Sequence, residues 1–130
     1  MKQTLIVLLA IVAAVWMLFN CEGCGSDAAT YSGTDVTDEN FTFELKDDGK
    51  AVLTWSYRND TKVEYGTWDD FWEDEDIITV STSYGPQFWL NVQGQKTNAG
   101  KYVIKNGYLY KDINDARAEH PNRRIKLNEL

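Results

Sequence analysis

The chain has 130 residues, with 13 Lys plus Arg against 20 Asp plus Glu, for a formal net charge of -7. That length holds one domain, and the acidic balance excludes nucleic acid, whose phosphates require a basic face. One His and two Cys leave almost no material for a zinc site or a Cys–His nucleophile pair.

Met1-Lys2-Gln3-Thr4 carries one positive side chain and precedes an unbroken apolar run from Leu5 to Phe19. As a helix this run spans about 22 Å, short of the roughly 30 Å hydrocarbon core. It fits the apolar region of a secretory signal better than a spanning helix. The run ends in Leu18-Phe19-Asn20-Cys21, which resembles a bacterial lipoprotein lipobox: Leu18 and Cys21 match, while Phe19 and Asn20 replace the usual small residues. Looser lipoboxes of this kind occur in Bacteroidota lipoproteins. The resemblance implies cleavage after residue 20 and acylation of Cys21, with thioether-linked lipid and a palmitate-type chain on the amino terminus. Cys24, preceded by Gly23, is the competing site. Lipid on Cys21 would also remove the Cys21-Glu22-Gly23-Cys24 pair from redox or metal chemistry.

Without residues 1–20 the chain keeps 110 residues, 12 basic and 20 acidic, for a net charge of -8. Residues 21–40 are rich in Gly, Ser, Asp, Thr and Ala without an apolar period, which predicts a flexible tether. Tyr31-Ser32-Gly33 is the point within it where a folded part can begin. The folded domain is expected over 41–130.

From Phe41 the period becomes two. Phe41, Phe43 and Leu45 share one face of a first strand. Asp47-Asp48-Gly49-Lys50 marks a tight turn, and Ala51, Leu53, Trp55 and Tyr57 line the return strand. Arg58-Asn59-Asp60-Thr61 is a second polar turn. A third strand covers Lys62 to Trp68, with Val63, Tyr65 and Thr67 on one face, and a fourth covers Ile77 to Ser83. Pro86 ends that strand, and a fifth is predicted from Gln87 to Gln93, with Trp89 facing opposite to Phe88 and Leu90. Lys101 to Lys105 and Tyr108 to Tyr110 form a hairpin about Asn106-Gly107, the strongest two-residue turn signal in the chain. Asp112 to Glu119 predicts one or two helical turns stopped by Pro121, and Arg124 to Leu130 a last short strand. The pattern is all-β: an antiparallel meander of seven or eight strands, as a barrel or sandwich, with a short helix near the C-terminus.

Phe41-Thr42-Phe43, Asp48-Gly49, Tyr65-Gly66-Thr67-Trp68 and Ile77-Ile78-Thr79-Val80 resemble the lipocalin-like domains of Bacteroidota lipoproteins and the N-terminal domain of NlpE-like envelope lipoproteins. The likeness covers roughly residues 31–111 and implies a small barrel anchored to the cell envelope, periplasmic or surface-exposed. NlpE-like domains carry a CxxC soon after a Tyr-x-Gly. Here no cysteine follows Tyr31-Ser32-Gly33, so the resemblance does not extend to metal or redox signalling.

Two groups of residues are candidates for function. Trp55, Trp68, Trp72 and Trp89 either fill a small β core or line a site for an apolar or carbohydrate ligand, since flat rings suit both. Asp69, Asp70, Glu73, Asp74, Glu75 and Asp76 form an acidic run around Phe71 and Trp72. Its first reading is a solvated hairpin loop, and its second a contact for a cation or a basic protein. The ordered spacing of a calcium loop is absent, and nothing predicts the cleft that paired glycosidase carboxylates require. His120 sits in a polar turn far from any nucleophile. No phosphate loop, serine elbow or metal-ligand cluster occurs, so no catalytic residue, metal or cofactor is expected. The preferred expectation is a non-catalytic, lipid-anchored binding module whose partners are the membrane and a small apolar or sugar ligand. The alternative is an envelope interaction protein, such as an inhibitor of a cationic enzyme like lysozyme, acting through the acidic run.

Overall fold

Alternation of apolar and polar side chains builds each wall of the molecule. The computed structural model describes residues 27–72 and 76–130, with the side chains of residues 71 and 72 excepted. The expected signal segment, Cys21 and Cys24 therefore lie outside the described residues, as do Glu73, Asp74 and Glu75. The strands are β1 (Asp27–Thr34), β2 (Asn40–Lys46), β3 (Lys50–Tyr57), β4 (Asp60–Trp72), β5 (Ile77–Thr82), β6 (Lys101–Lys105), β7 (Tyr108–Tyr110), β8 (Arg124–Lys126) and β9 (Asn128–Glu129). One helix, α1 (Ile113–Ala118), separates β7 from β8.

All pairings are antiparallel, in the order β8-β7-β6-β5-β4-β3-β2-β1-β9. Only Leu127 separates β8 from β9, so one C-terminal segment pairs with β7 and then with β1, drawing the sheet into a nearly closed barrel. Leu127 N donates to Gly107 O at 2.7 Å and Leu130 N to Thr30 O at 2.9 Å across this seam. Closure satisfies backbone groups that an open sheet would leave at its edges. The barrel and the short C-terminal helix are the architecture expected from the sequence.

Local chemistry sets the hairpins. Arg58 and Asn59 both take positive φ (52° and 68°), as do Asn106 and Gly107 (51° and 77°). This is the two-residue turn geometry that matches strand twist. Gly66 serves packing instead: a Cβ there would lie 2.0 Å from the Ser81 carbonyl oxygen.

The register decides which residues face inward. Phe41, Phe43 and Leu45 oppose Trp55, Leu53 and Ala51, and these oppose Lys62, Glu64 and Gly66 on β4. Val63, Tyr65 and Thr67 therefore occupy the outer face of β4, with Val63 and Tyr65 nearly half exposed. The interior is filled by aromatic rings: Phe41 stacks on Phe88 at 4.3 Å between centroids, and Phe43 meets Tyr102 at 5.2 Å. A second, smaller apolar cluster lies outside the barrel, where α1 brings Ala116 onto Ile77, Val103 and Tyr110. Asp112 caps this helix, accepting from Asp115 N at 2.8 Å.

Three expectations change. Residues 21–40 are not all tether, because β1 begins at Asp27 and pairs with β2 along its length. Its apolar contribution to the interior is only Ala29 and Tyr31, too sparse to mark a strand by period. Second, Gln87–Gln93 is not a strand of the sheet. It belongs to the long connection between β5 and β6, which folds on itself through Leu90 N to Gln95 O (2.7 Å) and Thr97 N to Phe88 O (2.9 Å). The connection inserts fully buried Phe88 into the barrel, so the alternation marked a burial face without a ladder partner. Third, β4 does not stop at Trp68 but runs on to Trp72, taking Asp69 and Asp70 into the strand.

Candidate functional site

The strand directions give the barrel two different ends. One carries the β2–β3 turn, the β4–β5 turn and the β6–β7 turn, and β1 enters there. The other carries the β1–β2 turn, the β3–β4 turn and the long β5–β6 connection. At this second end an open groove of about 1010 Å³ lies between the inner faces of β3 and β4 and the connection.

Trp55 and Tyr57 stand on the β3 wall, Lys62 and Glu64 on the β4 wall, and Tyr84, Trp89 and Lys96 on the connection. Phe88 and Leu90 face the core, so Trp89 faces out, as its phase predicts, and remains 36% exposed. Lys96 Nζ lies 5.3 Å from the Trp89 ring centroid, and the Arg58 guanidinium lies 5.2 Å from that of Tyr57. These are cation–π distances.

Asp35 holds this end together. Its carboxylate is almost fully buried. Oδ1 accepts from Thr37 N (2.8 Å), Thr37 Oγ1 (2.7 Å) and Glu39 N (3.0 Å), while Oδ2 accepts from Trp89 N (3.1 Å). Val36 N donates to Trp89 O at 3.2 Å, completing the grip on the tryptophan backbone. A carboxylate accepting several N–H bonds is well compensated for its burial. Glu64 Oε1 accepts from Tyr84 N at 3.0 Å and ties the start of the connection to β4. Glu39 beside the groove has a raised pKa, first through burial and then through the charge of Asp35.

The four candidate tryptophans do not form one platform. Trp55 and Trp89 meet at the groove. Trp68 lies toward the opposite end, packed against the core, with Nε1 donating to Lys46 O at 2.6 Å. Its ring braces the β2–β3 turn. The Trp72 backbone pairs with Ile77, and its side chain is outside the described residues. Asp69 and Asp70 are exposed at the far end of β4, and Asp76 is exposed with φ 54°. The Tyr31 pKa is raised by burial first, then by the charges of Glu129 and Asp70. Among the described residues no three His, Cys, Asp or Glu side chains gather closely enough to hold a metal ion. His120 is half-buried on the turn after α1, with Nδ1 accepting weakly from Asn122 N at 3.4 Å.

Asp35, Lys62, Tyr84 and Lys96 were not singled out in the sequence. Asp35-Val36-Thr37 does carry a usable signal, since an Asp accepting from the N–H two residues on makes an Asx-turn. Lys62 becomes an inward residue only through the register set by the two-residue turn at Arg58-Asn59. Comparison with protein-family models, with curated proteins and with solved structures gives no match.

Proposed function

We propose that this chain is a lipid-anchored cell-envelope lipoprotein, and that its barrel is a non-catalytic binding module taking a saccharide at the aromatic groove. The observation that carries the ligand reading is the meeting of Trp55 and Trp89 at an open barrel mouth above a filled interior. Phe41, Phe43, Phe88 and Tyr102 occupy the space in which a lipocalin would enclose an apolar ligand. An open groove with aromatic faces and charged side chains suits a solvated sugar better than a buried hydrocarbon.

The anchoring reading rests on the lipobox resemblance at Cys21 and agrees with the direction of β1. Five residues separate Cys21 from Asp27, a span of at most about 20 Å when extended. Asp27 lies at the end opposite the groove, so a lipid on Cys21 would hold the groove facing away from the bilayer. The same geometry turns Asp69, Asp70 and Asp76 toward the membrane, which weakens the alternative of a soluble cationic partner bound through the acidic run.

Tryptophan fluorescence titration with a panel of neutral and acidic oligosaccharides tests the ligand reading. Binding by the full chain, lost in Trp55→Ala and Trp89→Ala, is the expected result. Binding retained in both variants removes the groove from consideration. Cys21→Ser is expected to abolish labelling by a palmitate analogue and release the protein from membranes. Labelling that depends on Cys24 instead would move the anchor.

A further inference from the structure

The charge of the groove runs against that of the chain. Arg58, Lys62 and Lys96 line it with only Glu39 and Glu64, whereas the whole chain has 20 acidic and 13 basic residues. The position of Lys62 is the most informative. On β4 the register sends Lys62 and Glu64 inward while Val63 and Tyr65 face solvent, the reverse of what a barrel built only for stability would choose. Such local violations of patterning concentrate at functional positions. Glu64 is engaged by Tyr84 N. Lys62 lies directly across from Trp55 on the inner face, and among the described residues no ion pair involves it. An exposed lysine without an ion pair thus stands opposite Trp55 in the strand register, and Lys96 places an ammonium 5.3 Å from the Trp89 ring centroid.

Building on the saccharide reading, we infer that the groove selects an acidic oligosaccharide, with sugar faces on Trp55 and Trp89 and a uronate carboxylate met by Lys62 and Lys96. Each ring offers an apolar face for the C–H side of a pyranose, and the ammonium beside it supplies a charge-assisted hydrogen bond that a neutral sugar cannot use.

The test compares hexagalacturonate with neutral cellohexaose, titrated into the full chain and followed by tryptophan fluorescence. The acidic hexamer is expected to bind about tenfold more tightly or better, and that preference is expected to shrink as salt rises from about 0.05 M to about 0.5 M. Lys62→Gln and Lys96→Gln should each bring the affinity ratio toward unity, while Lys105→Gln, at the far end of β6, leaves it unchanged. Equal affinity for the two hexamers, or a preference that survives both groove variants, overturns the charge inference and leaves the saccharide reading in place. Binding of neither hexamer overturns this inference, and absence of binding across the wider panel removes the saccharide reading as well.

Discussion

Phe88 offers the sharpest perturbation, because it separates a connection that is part of the core from one that merely covers it. The ring is fully buried, stacked on Phe41 at 4.3 Å and set at 6.4 Å from Phe43. Its backbone is held separately, by Thr97 Oγ1 accepting from Phe88 N at 2.8 Å. Truncation to Ala therefore removes packing and leaves the local ladder in place. An unrelaxed void of ~100 Å³ costs about 2.4 kcal/mol at about 24 cal/mol per Å³. The lost transfer of the ring adds about 2 kcal/mol. Phe88→Ala should thus destabilise by about 4 kcal/mol, a large share of the roughly 5–15 kcal/mol available to a domain. Equilibrium unfolding in urea, followed by tryptophan emission and far-ultraviolet circular dichroism, measures the loss. Val92→Ala is the internal control: it lies on the same connection, is 85% exposed, and should cost less than about 1 kcal/mol. If Phe88→Ala prevents folding, Phe88→Leu supplies the reading at a cost of about 1–2 kcal/mol. A loss below about 1 kcal/mol for Phe88→Ala would refute the reasoning, since the connection would then be a cover over an independently stable barrel.

Asp35→Ala leaves the N–H groups of Thr37, Glu39 and Trp89 without their acceptor and should cost about 2–4 kcal/mol. Asp35→Asn retains one acceptor oxygen and should cost about half as much; equal, negligible losses in urea unfolding would show that Asp35 does not organise the groove. Burial pushes the Tyr102 phenol up to about 12, with its hydroxyl donating to Pro86 O at 2.6 Å. The folded protein therefore keeps a proton that the unfolded chain releases near pH 10, so this contribution is complete below pH 10 and is lost as pH rises toward 12. Tyr102→Phe should flatten the decline by on the order of 1–2 kcal/mol across that window. Parallel stability profiles for the two proteins would count against the burial argument.

Much of the fold was legible because period two is a local property. Phe41, Phe43 and Leu45 announce an inward face whatever follows them, and Asn106-Gly107 takes positive φ at both positions without help from elsewhere in the chain. The groove was less legible. Trp89 was identified as facing away from Phe88 and Leu90, yet its meeting with Trp55 depends on a connection that returns across the barrel mouth. Trp68 has the same composition-level signal as Trp55 and lies toward the opposite end, because it stands six residues along β4 from Lys62, the partner of Trp55. β1 was hidden by its polar, glycine-containing sequence. Gly33 is there because a Cβ would come within 2.8 Å of the Phe41 ring, a requirement visible only once the two strands pair.

Length, acidity and alternation alone determined a single all-β domain with an antiparallel meander and a short C-terminal helix. These follow from interactions between near neighbours in the chain, which a one-dimensional pattern records. Tertiary structure alone decided that the C-terminal segment closes the sheet, that Phe88 fills the interior, and that Lys62 rather than Val63 pairs across from Trp55. Each of those outcomes rests on pairing between residues distant in sequence, where a shift of one position exchanges inner for outer face.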